Sequence, residues 1–263
     1  MPSASINPNE TILFVGAGLS MQLGLPSWSS LIGEIGTELG FDPDIFRGFS
    51  NYLALAEYYQ LMKGSIGPLR SILDVKWHDP AINIAHSEAH KLIVELGFSR
   101  IYTTNFDRWI EKSFDHWKKP FHKITNVNDI AGSKSGTIDV IKFHGDFDQD
   151  DTLVLTESNY FDRLQFEGPL DIMLRADALH RPILFIGYSL ADMNIRYLFH
   201  KLWKIWNEAH ISDARKKSFI FMSRPNPVEQ ALFERWGITP IVDPIGGSAG
   251  LVEFLRSAKT PVL

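Results

Sequence analysis

Cysteine is absent from the 263 residues of this chain. Without it, the chain cannot form a disulfide, a cysteine-based zinc site or a cysteine nucleophile. Long runs of lysine or arginine are also absent, and the net charge is −5. Because nonspecific nucleic-acid binding needs a basic surface that neutralises phosphates, we expect no direct nucleic-acid partner.

Long apolar stretches are missing as well. No segment reaches the roughly 18 consecutive apolar residues of a membrane span. The first ten residues, MPSASINPNE, show no basic stretch followed by an apolar run. We therefore expect no membrane association and a cytoplasmic location. Apolar residues still make up 44% of the chain, which is enough to build a sizeable core in one large domain over 1–263.

Six short apolar runs predict β-strands that are covered on both faces. The runs are rich in Ile, Val and Phe and do not alternate strictly between apolar and polar residues. Helical patterns lie between most of them. We therefore expect an α/β fold with a doubly wound, Rossmann-like, mostly parallel six-stranded sheet in the order 3-2-1-4-5-6. The predicted strands cover residues 11–15, 100–103, 138–143, 182–186, 218–222 and 238–242.

Residues from about 41 to 97 interrupt this alternation of strands and helices. The segment contains helical patterns and loops but no strand pattern, so it predicts a helical module inserted after the first strand–helix unit. Two of its helices are expected over 52–63 and 84–96. Outside the module, Asp192 is a predicted cap for a long helix over 193–208.

The first predicted strand runs directly into Gly16-Ala17-Gly18-Leu19-Ser20. Glycines after a buried strand let the backbone approach a pyrophosphate, and amides of the next helix N-terminus then face the anion. The spacing is neither the dinucleotide fingerprint G-x-G-x-x-G nor a P-loop. A tight turn that requires small residues is the simpler interpretation of this motif alone.

Polar residues also follow the second, third and fourth predicted strands. Taken one at a time, they are explained as turn residues, helix caps or a loop histidine. Carboxyl ends of strands in an open parallel sheet line one ligand crevice, however, so these residues should meet there beside Gly16. They are Thr104, Asn105 and Asp107 after the second strand, His144 after the third, and Gly187, Ser189 and Asp192 after the fourth.

One histidine pair invites interpretation as a metal site. His86 and His90 lie four residues apart in a predicted helix, a spacing that can bind zinc. A metalloprotease helix would carry His-Glu-x-x-His, whereas the glutamate here is Glu88, and no third ligand is evident. We therefore expect no metal, with His90 packed beneath the sheet or His86 in solvent.

Together these motifs resemble the sirtuin superfamily. The glycine loop, the Asn-x-Asp motif and the His-Gly motif are its recurring elements, and they occur here in the same order. The chain is more similar to the zinc-free, sirtuin-like NAD hydrolases of bacterial antiviral defence, over roughly residues 11–245. The shared motifs are Gly24-Leu25-Pro26-Ser27-Trp28, Thr103-Thr104-Asn105-Phe106-Asp107, Phe143-His144-Gly145-Asp146, Leu155-Thr156-Glu157 with Tyr160, and Ile186-Gly187-Tyr188-Ser189-Leu190 followed by Asp192, Asn194, Ile195 and Arg196.

The resemblance implies that NAD is a substrate, cleaved at the nicotinamide–ribose bond without a metal. Asn105 would bind near the nicotinamide ribose and orient water, Asp107 would bind the carboxamide, and His144 would be the general base. Asp243 and Arg224 are weaker candidates for the adenosine side. The other implied NAD-binding residues are Gly16, Ala17, Gly18 and Ser20 at the pyrophosphate, with Thr104, Gly187, Ser189, Asp192 and Ser223.

Two alternatives remain open, together with the question of control. A catalytically silent NAD or ADP-ribose binding module would not need both Asn105 and His144. An NAD-dependent protein deacylase would carry a four-cysteine zinc module. An enzyme that depletes NAD must be restrained, and no sensor module is seen, so the resemblance implies a homo-oligomer and a regulator such as a HerA-type ATPase. Aromatic residues of 197–206 and of the helical module would supply such contacts.

Overall fold

The computed structural model describes residues 6–165, 167–189, 192–209, 217–243 and 246–259. Seven strands of this part of the chain form one sheet, in which every pairing is parallel. The strands are β1 (Ile12–Val15), β2 (Arg100–Thr103), β3 (Phe121–Ile124), β4 (Ile138–Lys142), β5 (Ile183–Ile186), β6 (Ser218–Met222) and β7 (Ile238–Val242).

The strand order is β3-β4-β2-β1-β5-β6-β7. All six predicted strands form, and their relative order is the predicted one, which confirms the α/β fold. The predicted count of six is corrected to seven by β3, an edge strand that pairs with β4. Its sequence, FHKI, has two polar residues and is mostly half-buried, so it lacks the apolar run that marks the buried strands.

The helices of the described residues lie mainly between the strands. None of them is long and apolar enough to cross a membrane. They are α1 (Ala17–Ser20), α2 (Trp28–Glu38), α3 (Pro43–Arg47), α4 (Tyr52–Lys63), α5 (Gly67–Trp77), α6 (Glu88–Leu96), α7 (Trp109–His116), α8 (Val127–Gly132), α9 (Glu157–Asp162), α10 (Pro169–His180), α11 (Met193–Glu208), α12 (Pro227–Arg235) and α13 (Gly247–Lys259).

Helices cover both faces of the sheet because successive residues of a strand point to opposite sides. In β1, Ile12 and Phe14 pack with apolar residues of α10, α11 and α12. Leu13 and Val15 pack on the other face with residues of α6, α7 and α13. The two strands β1 and β5 are therefore apolar at every position, which explains why their sequences do not alternate.

A third apolar cluster forms the helical module. It joins α2, α3, α4 and α5 to Phe106, Phe147 and Leu153 in the loops that follow β2 and β4. The predicted boundaries of 41 and 97 need correction at both ends. The helix α2 belongs to this cluster, whereas α6 packs on the sheet through Ala89, Leu92 and Ile93. The module is thus seated on the two loops that carry Asn105 and His144.

Candidate active site

A cleft of about 1470 Å³ opens between the carboxyl edge of the sheet and the module. Residues from the ends of five strands reach it, as expected for the ligand crevice of a parallel sheet. The weaker candidates Arg224 and Asp243 aside, every site residue predicted from the sequence lines the cleft except Gly16. Those that line it are Ala17, Gly18, Ser20, Thr104, Asn105, Asp107, His144, Gly187, Ser189, Asp192 and Ser223.

The glycines after β1 are required by close contact with the loop after β5. A Cβ atom on Gly16 would lie 2.5 Å from the carbonyl oxygen of Gly187, and one on Gly18 would lie 2.8 Å from the Gly187 Cα. The Gly18 amide donates to the Gly187 carbonyl at 2.8 Å. Gly187 itself has a φ of 59°, which favours glycine. Packing between two loops therefore explains these glycines before any ligand is considered.

Asn105 is held by the glycine loop. Its Nδ2 donates to the Gly16 carbonyl and to the Ser20 hydroxyl, each at 3.1 Å. Its backbone amide donates to Thr103 Oγ1 at 3.1 Å. Among the described residues, no group donates to its Oδ1, and the side chain lines the cleft. The two amide hydrogens thus fix the side chain and leave one acceptor for a ligand.

Asp107 stabilises the same loop by accepting two hydrogen bonds. Its Oδ2 accepts from the Ser20 hydroxyl at 2.7 Å, and its Oδ1 accepts from the Trp109 amide at the start of α7 at 3.0 Å. The side chain is buried. Ser20, Asn105 and Asp107 therefore form one hydrogen-bonded group, in which Asp107 orients the hydroxyl that Asn105 contacts.

Lys142, which was not predicted from the sequence, stabilises the group of Ser20, Asn105 and Asp107 through the backbone of Asp107. It is the last residue of β4 and has no exposed surface. Its Nζ donates to the backbone carbonyl of Asp107 and lies 3.2 Å from Glu111 Oε1 in α7. A lysine at the buried end of a mostly apolar strand is the signal that could have drawn attention to it. Lys142 thus joins the loop after β2 to the strand that leads to His144.

The module is tied to the same loop by Arg108. Its guanidinium donates to both carboxylate oxygens of Asp74, at 2.7 and 3.0 Å. Its backbone amide donates to His78 Nε2 at 2.9 Å, while His78 Nδ1 lies 2.7 Å from Asp74 Oδ1. This arrangement requires a neutral His78 with its proton on Nδ1. The helix α5 is therefore fixed directly to the residue that follows Asp107.

His144 follows β4, the strand next to β2, and is buried where it lines the cleft. Its Nε2 is 3.3 Å from Asp192 Oδ2, although the two groups are not aligned for a hydrogen bond. Asp192 Oδ2 also accepts from the Tyr160 hydroxyl at 3.1 Å, and its Oδ1 accepts from the Ile195 amide as the predicted cap of α11. One carboxylate therefore caps a helix and faces the imidazole.

Burial sets the protonation states around His144. It lowers the pKa of the imidazole to about 4, with Asp192 opposing the shift and Arg163 adding to it. Burial, followed by Asp192, raises the pKa of the Tyr160 and Tyr188 phenols well above their usual value. At neutral pH the cleft therefore holds a neutral imidazole, which can accept a proton, beside two protonated phenols.

A protein-family model matches the region of the chain that contains these residues. A family model described as a SIR2-like domain aligns with residues 99–241, more than half of the chain. This chain belongs to the SIR2-like family. The matched part of the SIR2-like chain includes Asn105, Asp107 and His144.

Curated relatives share a large part of the SIR2-like chain. An NAD(+) hydrolase ThsA of Enterococcus faecium is 31% identical over 198 residues, which are 73% of this chain and 40% of that protein. The ThsA of Bacillus cereus (strain MSX-D12) is 29% identical over 72% of this chain and 39% of that protein. Defense-associated sirtuin 2 of Bacillus subtilis is 28% identical over 84% and 21%. The chain therefore spans at most about 40% of the length of these relatives.

The far end of the cleft in the SIR2-like chain is less enclosed. Ser189 and Ser223 line it but are exposed, as is Arg224 beside Ser223. Asp243, a weaker candidate, is buried outside the lining and accepts from the Gly246 amide at 2.9 Å. Asp243 therefore organises the turn after β7 rather than the wall of the cleft.

The histidine pair is separated by the fold. His86 is exposed in a short turn before α6, whereas His90 is buried within α6, with Nδ1 2.7 Å from Ser87 Oγ. Burial lowers the pKa of His90 to about 4. Within the described part of the chain, no group of three His, Asp or Glu residues is placed to hold a metal ion. The two histidines therefore do not share a helix face.

Two further polar residues line the cleft without having been predicted as site residues. Both amide atoms of Asn194 are buried, and no hydrogen-bond partner is found for them in the described residues, whereas the buried Tyr188 hydroxyl lies near Thr104 and Asp192. Both residues belong to the sequence motif that begins at Ile186. The spacing alone gave no reason to prefer them over neighbouring core positions, because tyrosine and asparagine also serve in packing and capping.

Proposed function

We propose that this SIR2-like chain binds NAD in the cleft and hydrolyses the bond between nicotinamide and ribose. The observation that carries the proposal is the presence of Asn105 and the buried, neutral His144 in one cleft, with Asp192 behind the imidazole. The names of the ThsA relatives support the same activity.

The reaction consumes one water and releases nicotinamide and ADP-ribose. The glycosidic bond breaks with its electron pair leaving on the pyridine nitrogen, so nicotinamide departs neutral and needs no proton. The ribose carbon passes through an oxocarbenium-like state, as in other glycosyl transfers. Water then bonds to that carbon and loses a proton. The protein must hold the ribose, orient the water and accept that proton.

Residues that line the cleft carry out these steps in the proposed reaction. The free Oδ1 of Asn105 accepts from the water or from a ribose hydroxyl, because its amide hydrogens are already used. The neutral imidazole of His144 accepts the proton, and the nearby Asp192 carboxylate stabilises the imidazolium that forms. Asp107 acts through Ser20 on Asn105 and lies where a carboxamide could reach it.

The remaining predicted residues hold the rest of NAD in this proposal. Those after β1 and β5 come together at the loop contact, and a pyrophosphate would lie beside it, at the start of α1. Ser223 follows β6 and lies towards the exposed end of the cleft. The residues assigned to NAD binding are Gly16, Ala17, Gly18, Ser20, Thr104, Gly187, Ser189, Asp192 and Ser223, of which Gly16 acts through its contact with Gly187.

The proposed setting is antiviral defence in the cytoplasm. Support comes from the name of the Bacillus subtilis relative, a defence-associated sirtuin. Because NAD depletion harms the host, we propose that the chain acts as a homo-oligomer whose activity a defence-system partner, such as a HerA-type ATPase, controls. Exposed apolar side chains on the module, among them Phe49 and Leu61, support self-association.

Substitution of the two wall residues tests the proposal. His144→Ala should reduce nicotinamide release from NAD by roughly 10²–10⁴-fold, the usual contribution of an acid–base group, and Asn105→Ala by roughly 10²-fold or more, because the water or ribose is no longer oriented. Gln22→Ala is the matched control, because Gln22 lines the same cleft but has no assigned role. Circular dichroism verifies folding. A chain that binds NAD without turnover is a silent module, and acetyl transfer from a peptide would identify a deacylase.

A further inference from the structure

Asn194 is a buried polar side chain whose amide group the described residues leave unpaired. It lies in the first turn of α11, two residues after the cap Asp192, and its exposed fraction is 1%. Neither Oδ1 nor Nδ2 has a hydrogen-bond partner among the described residues. A buried amide left in this state is destabilising, so a partner is expected.

The position of Asn194 indicates where that partner comes from. The residue lines the cleft, with Asp192 and Tyr188 of the same strand–helix connection. Its neighbours on α11, Ile195 and Leu198, are instead packed in the core of the sheet. Asn194 is thus a polar side chain on an otherwise apolar buried surface of α11, and it lies where α11 borders the cleft.

We propose that Asn194 binds NAD through an uncharged group that both donates and accepts hydrogen bonds. This inference rests on the proposed function and assigns a further substrate contact. A phosphate oxygen only accepts, so it would pair with Nδ2 and leave Oδ1 without a donor. A ribose diol, the carboxamide or an adenine edge satisfies both amide atoms together. Asn194 therefore recognises a sugar or base of the dinucleotide, not its pyrophosphate.

The contact has a consequence for stability that a structural asparagine would not show. Leucine has nearly the shape of asparagine, and an apolar replacement removes the cost of the unpaired amide. Asn194→Leu should therefore raise the melting temperature of the unliganded protein. The same substitution should weaken the affinity for ADP-ribose, or for nicotinamide mononucleotide if the carboxamide is the partner, by about tenfold, which corresponds to about 1.4 kcal/mol. An asparagine bonded within the protein would instead lower the melting temperature when replaced.

The experiment combines calorimetric binding of ADP-ribose with thermal unfolding of the full chain. Asn207→Leu is the control, because Asn207 is an exposed residue of the same helix. AMP and nicotinamide mononucleotide, titrated separately, identify the half of NAD that loses affinity. Asn194→Ala, which shortens the side chain, repeats the binding measurement if the leucine variant does not fold.

The outcomes separate this inference from the proposed function. Loss of affinity for either half in both Asn194 variants, with Asn207→Leu unchanged, supports the contact. Unchanged affinity for ADP-ribose, AMP and nicotinamide mononucleotide overturns it, as does a lower melting temperature with wild-type binding. Wild-type protein that binds ADP-ribose but does not release nicotinamide from NAD contradicts the hydrolase proposal alone, because the binding comparison still stands.

Discussion

At the scale of single residues, the chemistry depends on a histidine that stays neutral. Burial keeps the His144 imidazole uncharged at physiological pH, and the Asp192 carboxylate partly opposes this effect. The low pKa makes His144 a weaker base than a free imidazole. The carboxylate 3.3 Å away compensates when the proton arrives, because it stabilises the imidazolium.

The pH dependence of the proposed NAD hydrolysis follows from this arrangement. His144 has a pKa of about 4, below the ordinary value of 6.5, so its basic form persists as the pH falls below 6.5. We expect kcat/KM to stay flat from pH 8 to about 5 and to fall towards pH 4. Initial rates of nicotinamide release across this range measure it. An acidic limb centred near 6.5 would show that the imidazole is exposed to solvent.

Asp192→Asn isolates the contribution of the carboxylate. Asparagine also caps helices, so α11 should remain capped. Since Asp192 raises the His144 pKa, its removal should shift the acidic limb to lower pH and reduce the plateau rate by roughly 10²-fold. Tyr160→Phe is the control, because it removes a hydrogen bond to Asp192 and keeps the charge. An acidic limb that moves upward in Asp192→Asn would contradict the account.

At the scale of elements, a buried ion pair joins β4 to α7, the helix that follows the loop carrying Asn105. Lys142 ends β4, Glu111 lies in α7, and the ammonium also donates to the carbonyl of Asp107. The loop that carries Asn105 is thereby fixed to the strand that leads to His144. Lys142 is therefore a positioning residue, since it acts on the reacting groups only through the backbone.

Lys142→Met should separate positioning from stability. Alone, it leaves the Glu111 carboxylate buried without its cation, at a cost of about 3–5 kcal/mol. The double variant Lys142→Met/Glu111→Leu should recover most of that stability but keep a lowered kcat, because Asp107 is no longer held. Lys142→Arg should restore part of kcat. Urea unfolding and steady-state kinetics are the measurements, and a double variant with wild-type kcat would remove this role.

Much of the fold could be predicted from the sequence because apolar patterns mark buried strands. The helix α4 and the cap at Asp192 were predicted at their observed positions, since Asn51 and Asp192 are side-chain caps with clear signals. The edge strand β3 was missed because its polar residues are half-buried. Strand ends identified Asn105 and His144, whereas Lys142 and Asn194 acquire meaning only from neighbours distant in sequence.

At the scale of the whole molecule, the module presents an exposed apolar surface. Phe49 stacks edge-on with Phe41, which also contacts Tyr58 at the next helix. The side chains that form this module patch are Ile45 (60% exposed), Phe49 (60%), Tyr58 (37%), Leu61 (72%) and Met62 (59%). The aromatic stripe of 197–206 exposes less apolar surface than expected, because Trp206 is buried. Contiguous exposed apolar surface of this kind is typical of interfaces.

Self-association through the module patch is therefore the expected mode of assembly. Phe49→Glu/Leu61→Glu should dissociate the oligomer, because two charges would be buried at the contact. Light scattering of the purified protein measures the mass. Val127→Glu, which alters an exposed side chain of α8 away from the patch, is the control. A wild-type monomer, or an oligomer whose mass is unchanged by the double substitution, would contradict this assembly.

The central claim is that the cleft hydrolyses NAD, and product analysis tests it most directly. The purified chain is incubated with NAD and an acetylated peptide, and all products are separated and quantified. We predict nicotinamide and ADP-ribose in equal amounts, no deacetylated peptide, and loss of both products in Asn105→Ala and His144→Ala. NAD that is bound but left intact, or products that appear equally in both variants, would contradict the claim.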